Sequence, residues 1–310
     1  MARVVVAGAT GMIGRALTDA LARRGDEVIA LSRRPPATRE VTGTRLVAWP
    51  DPKQTPPPRE SIAGADAVVN LLGEPIAQRW TADAKREIRD SRVLGTRSLV
   101  QAIRALPADA RPAVVVSQSA AGFYGPRGGE QLDESSPAGD DFLARVVVEW
   151  EREADTARGE TRVVLTRTGV VLAPRAGVLE RMLGPFRLGV GGPVAGGGQF
   201  VPWIHLDDVV GALLRCVDDE SLRGPVNVTA PTPVTNAELS KTLGRVLHRP
   251  AVLPVPGVAL RALYGEMATV VTTGQRVVPV RLREAGYEFS FPELEPALRD
   301  VIAPAGGDQG

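Results

Sequence analysis

Cysteine is almost absent: Cys216 stands alone in 310 residues, which excludes an intrachain disulfide framework and points to a reducing compartment. Histidine is nearly as scarce, with His205 and His248 only, so a Cys/His metal cage is not available and no metal is expected. Lysine occurs at 53, 85 and 241 alone, and arginine carries the rest of the positive charge. The formal net charge is only +1, which gives no electrostatic reason for a nucleic-acid or anionic-membrane partner. No apolar run reaches membrane-spanning length, and the first residues read as a strand instead of an export signal. Together these absences predict a cytoplasmic protein with no membrane and no nucleic acid as partner.

What is present begins at once. Val4 to Gly14 reads VVVAGATGMIG, a buried strand, a glycine turn and a helix start in one stretch. The spacing gives each glycine its own role. Gly8 lets the chain leave the strand tightly, Gly11 lets backbone approach a pyrophosphate, and Gly14 lets the helix pack close. Thr10, Met12 and Ile13 share that turn, and the helix N-terminus adds free N–H groups and partial positive charge. Apolar residues then repeat at helical spacing until Gly25, and Glu27 to Leu31 reads as a second strand, completing a strand-helix-strand unit. No Gly-Lys-Ser/Thr ending follows, which argues against a triphosphate loop. After the second strand, an NAD site normally has an acid for the ribose hydroxyls, but here stand Ser32, Arg33 and Arg34. A guanidinium suits a phosphate, so the pattern favours NADP(H).

A hydrophobic content of 44% and a charged content of 24% are those of an ordinary globular chain. Further strands are expected at Leu46 to Trp49, Ala67 to Asn70, Ala113 to Ser117 and Arg162 to Thr168. Helices are expected from Thr81 to Leu106, with Thr81 as cap, and from Asp141 to Ala157. This alternation predicts an α/β fold, a doubly wound parallel Rossmann sheet with a smaller mixed C-terminal substrate lobe. Residues 1–170 form the NADP-binding domain in this reading, with 205–230 returning to the sheet; residues 171–204 and 231–303 form the lobe. Leu188 to His205 is glycine-rich and reads as a ligand-covering loop. One of Asp207 and Asp208 is expected to cap the helix that runs through Cys216, and Thr235 to Leu247 is expected as another helix.

In open parallel sheets the ligand lies outside the carboxyl ends of the strands. Three such ends carry polar residues: Asn70-Leu71-Leu72-Gly73, Ser117-Gln-Ser119, and Thr166-Arg-Thr-Gly169. SQSAAGFYG, from Ser117, resembles the serine strand-end and Tyr-Gly motif of extended short-chain dehydrogenases/reductases. NLLGEPIAQRW from Asn70, SRVLGT from Ser91, GGPVAGGGQFVPWIH from Gly191, GPVNVTAPTPVTNAEL from Gly224 and YGEMATVVTTGQRVVP from Tyr264 narrow the likeness. They resemble the atypical bacterial "epimerase family", nucleoside-diphosphate-sugar epimerase-like proteins with a small C-terminal domain. The likeness runs over nearly the whole chain. It implies an NADP-binding Rossmann domain, a substrate-side lobe and a poorly defined reaction. By the strand-end rule Leu71, Leu72, Gly73, Ser117 and Gly169 are expected beside the nicotinamide, and Arg92 stands where the superfamily often has an Asn near the cofactor, facing either a phosphate or solvent.

The chain departs from the superfamily at one point. Extended short-chain dehydrogenases carry a Tyr-x-x-x-Lys pair on the helix after the serine strand, where Lys lowers the Tyr pKa for proton exchange. Here the helix reads DDFLARVVVEWERE from Asp140, and Phe142 and Val146 occupy the matching positions. The replacement candidates are Ser119, with Ser117 as the alternative, for polarising a substrate oxygen, and Tyr124 for donating a proton. Arg79, Trp80, Gln199, Trp203 and His205 are the substrate-pocket candidates; each tryptophan reads equally well as packing, and His205 as structural. Two functions compete: an NADP-dependent oxidoreductase or epimerase-like enzyme for a small carbonyl or alcohol, and a non-catalytic NADPH-binding sensor or scaffold. Oligomeric state is open in either reading.

Overall fold

The structure, a computed structural model, describes residues 1–34 and 43–303. Seven strands make the central sheet: β1 Arg3–Ala7, β2 Glu27–Ser32, β3 Thr44–Ala48, β4 Ala67–Asn70, β5 Val114–Ala120, β6 Arg162–Thr168 and β7 Gly224–Val228. All pair in parallel, in the order β7-β6-β5-β4-β1-β2-β3. The chain winds outward from β1 in one direction and then, from β4, in the other. The crevice between the ends of β1 and β4 is therefore the topological switch point.

Strand periodicity decides which helix each residue meets. Val4 and Val6 face Leu17 and Leu21 of α1 (Met12–Arg24), whereas Val5 and Ala7 face Leu99 and Ile103 of α2 (Ala82–Arg104). Helix α3 (Phe142–Asp155) lies beside α2, sharing a cluster of Val100, Ala154, Val163 and Leu165. Short polar caps start these helices: Thr81 accepts from the Ala84 N–H and Asp141 from the Ala144 N–H. Gly25, at φ +86°, closes α1.

The lobe has its own core. Leu179, Leu183 and Phe186 of α4 (Gly177–Arg187) meet Trp203, then Leu239 and Leu243, then Leu294, Leu298 and Val301. Between these segments α5 (Leu206–Asp218) returns to the sheet and packs on α1 through Val209, Leu213 and Cys216. Helix α6 (Asn236–Val246) starts at Thr235 in a capping box with Glu238. After α7 (Gly257–Tyr264), the chain reaches α8 (Leu294–Ile302).

Two expectations need correction. Neither Asp207 nor Asp208 caps α5: the His205 Nδ1 accepts the Asp207 N–H at 3.1 Å. Asp208 instead turns inward and accepts from the backbone N–H groups of Ser290 (2.7 Å) and Phe291 (2.9 Å). That anchor explains the second difference. Leu282, Tyr287 and Phe289, expected in the lobe, pack against the sheet domain beside α5.

Candidate functional site

The glycine turn has the geometry its spacing demands. Gly8 sits at φ +79°, and a Cβ there would lie 2.7 Å from the Leu71 carbonyl oxygen, so the loop after β4 rests directly on it. A Cβ on Gly14 would come within 2.3 Å of the Gly8 oxygen and 2.8 Å of the Ala9 Cα; this glycine lets α1 close on its own turn. Gly11 differs, because its Cβ would meet only the Gly8 oxygen, at 3.3 Å, and its outer side is open. Helix α1 carries no side-chain cap and no acid in its first turn, unlike the helices capped by Thr81, Asp141 and Thr235. Such an end presents unpaired N–H groups and partial positive charge to an anion.

The flanks of the turn are tied to it. The Thr10 hydroxyl lies 3.5 Å from that of buried Ser32, which also accepts the Arg34 N–H at 3.3 Å. Arg33 and Arg34 are exposed at the end of β2. Met12 and Ile13 are half-buried, and Met12 reaches the start of α4, its sulfur 3.9 Å from where a Gly177 Cβ would be. On the other side, fully buried Asn70 donates to Thr96 (2.8 Å) and Ser117 (3.2 Å) and accepts the Leu72 N–H at 3.3 Å. This holds Leu71, Leu72 and Gly73 along the crevice, with Arg92 over Gly73.

Gly169 is packed tightly at the end of β6. A Cβ there would lie 2.0 Å from the Pro202 oxygen, so it is a close-packing glycine between sheet and lobe.

The catalytic candidates stand elsewhere than expected. Ser119 is buried and donates to Glu151 at 2.5 Å. The short turn Ala121–Tyr124 carries Tyr124 inward, fully buried, donating to Asn227 Oδ1 at 2.6 Å and accepting from Arg167 Nη1 at 3.1 Å. Burial pushes the Tyr124 phenol up to about 12, against the pull of the Arg167 charge and the two hydrogen bonds. At the centre is a bidentate pair that the sequence reading missed: Arg167 Nε and Nη2 donate to the two Glu151 oxygens at 2.8 and 2.9 Å. Burial opposes the Arg167 charge, but Glu151 outweighs it and holds the guanidinium above its ordinary range. The signal available in the sequence was a charge inside the otherwise uncharged end of a strand, VVLTRT.

At the positions of the absent Tyr and Lys, Phe142 meets Trp80 edge-on at 5.1 Å between centroids, and Val146 is buried. The Lys85 ammonium lies 4.9 Å from the Phe142 ring and pairs with Glu266 beyond α7. Trp80, Phe142 and Lys85 thus line one wall where sheet domain and lobe meet. Arg79 is exposed nearby. Gln199 donates to the carbonyls of Val194 (3.1 Å) and Val271 (2.8 Å), tying its loop to the segment after α7. Two pocket candidates belong to the scaffold: Trp203 is in the lobe core and donates to the Thr232 oxygen at 3.1 Å. His205 is buried, stacked 3.9 Å from Phe291, with Nε2 3.1 Å from Asp300; because Nδ1 accepts, Nε2 carries the proton.

Comparison with known proteins agrees with this geometry. Residues 4–228 match the model of the NAD dependent epimerase/dehydratase family. The chain belongs to that family. Residues 255–301 match a domain of unknown function, DUF1731. The epimerase family protein SDR39U1 of Bos taurus is 42% identical over 307 residues, covering 97% of this chain and all of the relative. The epimerase family protein YfhF of Bacillus subtilis is 35% identical, covering 97% and 98% of the two chains. Among solved structures, the human epimerase family protein SDR39U1 (isoform 2) with NADPH superposes with a TM-score of 0.86 at 38% identity, covering 96% and 98%. Membership in the epimerase/dehydratase family accounts for the switch-point crevice and the glycine turn. Among the described residues, no helix is long and apolar enough to cross a membrane.

Proposed function

We propose that this chain binds NADPH along the switch-point crevice and acts as an NADP-dependent oxidoreductase or epimerase-like enzyme on a small carbonyl or alcohol. The observation that carries the reading is the uncapped, acid-free start of α1 behind Gly8 and Gly11, with Ser32, Arg33 and Arg34 where an NAD site has an acid. The NADPH bound to a relative 38% identical over nearly the whole chain supports the same cofactor here. Gly11 and the first turn of α1 hold the pyrophosphate, Thr10 and Ser32 order the turn, and Arg33 with Arg34 takes the 2′-phosphate. Leu71, Leu72 and Gly73 form the opposite edge. When bound, the nicotinamide supplies hydride chemistry; the chain supplies orientation and exclusion of water. Trp80 and Phe142 exclude water from the substrate side, and Arg79 is the exposed cation at its rim. Ser119 and Tyr124 enter this reading as groups that set the end of β5, not as proton donors, since their hydroxyls are committed to Glu151, Asn227 and Arg167.

That commitment, with Phe142 and Val146 in place of the Tyr-Lys pair, favours a second reading: an NADPH-responsive sensor or scaffold. Calorimetric titration of nucleotide-stripped protein with NADPH and NADH tests what both share. The expected result is a preference for NADPH of at least about tenfold, abolished by Arg33→Asp. Binding of neither nucleotide overturns both readings. Given NADPH binding, turnover with a panel of small aldehydes and ketones selects the enzyme; a change in proteolytic protection of the lobe without turnover selects the sensor.

A further inference from the structure

Helix α7 is apolar and yet buries none of its residues. It reads GVALRALY, with Arg261 as its single charge; Val258 is 79% exposed and Leu263 66%. A helix this apolar is normally covered. The segments before it have the same character. Leu188 (79% exposed) and Val190 follow α4, Val252 (74%) and Leu253 follow α6, and the two segments run side by side. The Leu253 N–H donates to the Gly191 oxygen at 3.3 Å, the Val255 N–H to the Pro193 oxygen at 2.9 Å, and the Ala195 N–H to the Val255 oxygen at 3.0 Å. Close packing fixes this ladder and its join to α7: a Cβ on Gly192 would lie 2.0 Å from the Leu253 oxygen, and one on Gly257 3.3 Å from the Ala195 Cβ. The apolar side chains are therefore displayed on ordered backbone. Apart from Met1 and Val270, the large apolar side chains exposed among the described residues all belong to this ladder or to α7.

The charge among these residues is of one sign. No acid occurs from Arg181 to Leu206 or from Leu239 to Gly265, whereas Arg187, His248, Arg249 and Arg261 are all exposed there. Arg187 and Arg261 have no carboxylate partner among the described residues, and Arg249 donates to the Arg187 and His248 carbonyls. Glu266, the acid that follows α7, is already paired with Lys85. The formal net charge of +1 sums over the whole chain and conceals this local imbalance. A second copy related by a two-fold axis would set these cations against one another, and a protein partner would need a pocket for each projecting side chain. A bilayer yields to projecting side chains, and anionic headgroups answer the cations.

We propose that the ladder and α7 form a face by which this chain docks on an anionic lipid surface, lying on the bilayer without crossing it. Leu188, Val252 and Val258 enter the headgroup region, Arg187 and Arg261 meet lipid phosphates, and Tyr264 stands at the boundary. The proposal is independent of the cofactor reading. Co-sedimentation of the full-length protein with vesicles tests it, using phosphatidylcholine alone and a phosphatidylglycerol–phosphatidylcholine mixture. The expected result is binding to the mixed vesicles that salt weakens and that is at least about tenfold weaker on phosphatidylcholine alone. Val252→Asp with Val258→Asp, and separately Arg187→Glu with Arg261→Glu, should each weaken binding at least about tenfold. Arg59→Glu, at an exposed position of the sheet domain, should leave it unchanged. All of these variants should melt with wild type, because the altered side chains face solvent, so that a loss of binding reports on the face and not on folding. Wild type that stays in the supernatant with the mixed vesicles overturns the proposal. So does binding that is equal on the two kinds of vesicle, that both double variants retain, or that Arg59→Glu weakens as much as they do. If wild type ignores vesicles but sediments as a dimer that the Val252→Asp, Val258→Asp variant dissolves, the face is a contact between copies of the chain instead.

Discussion

At the residue scale, the most consequential group is the buried pair of Glu151 and Arg167, since Ser119, Tyr124 and, through Tyr124, Asn227 all hang on it. Glu151→Gln leaves the Arg167 charge without a counter-ion in the interior, and the expected loss in urea denaturation is about 3–5 kcal/mol. Tyr124→Phe removes one hydroxyl from the same network and should lose about 1–2 kcal/mol. Neither change should alter the NADPH Kd, because both side chains are buried and bonded within their own network. A shift in Kd with unchanged stability would return Tyr124 to the site. The same network shows why the sequence misled at this scale. The residues at the end of β5 carry the right chemistry, but a hydroxyl becomes catalytic only if it points at a ligand. Its direction here is fixed by partners 32 and 103 residues away, Glu151 for Ser119 and Asn227 for Tyr124.

At the element scale, the turn from β1 to α1 separates two kinds of glycine. Gly14→Ala drives a methyl into the Gly8 oxygen and the Ala9 Cα, backbone atoms that cannot move aside cheaply; a stability loss of about 1–3 kcal/mol is expected in thermal or urea denaturation. Gly11→Ala meets only one oxygen, at 3.3 Å, so the melting temperature should hardly change while NADPH affinity falls. Equal effects of the two substitutions on stability would contradict the distinction. Elements such as this were legible because their signals are local: apolar runs of strand length, a glycine at positive φ, and Thr81, Asp141 and Thr235 each a step before its helix. The start of α5 was not. His205 caps it while facing Asp300, 95 residues on, and the aspartates that looked like caps are occupied by solvent or by the segment around Phe291.

At the scale of the whole molecule, the matched C-terminal region does not coincide with a unit of packing. The lobe core joins Leu179, Leu183 and Phe186 to Leu294, Leu298 and Val301, and Leu282 belongs to the sheet domain instead. A chain ending at residue 254 should therefore lose cooperative melting in the lobe and also destabilise the sheet, read as a lower and broader thermal transition with dye-binding apolar surface. An unchanged transition would make the last segment an independent appendage. The order of the strands has a further consequence, in time instead of space. β1, an inner strand of the sheet, is synthesised before both of its neighbours, which end at Ser32 on one side and Asn70 on the other. The lobe core, for its part, waits for Val301. Such a chain holds an apolar strand unpaired until its neighbours have been made and closes its longest-range contacts last, which is the profile of a slow folder that depends on protection while it is being made.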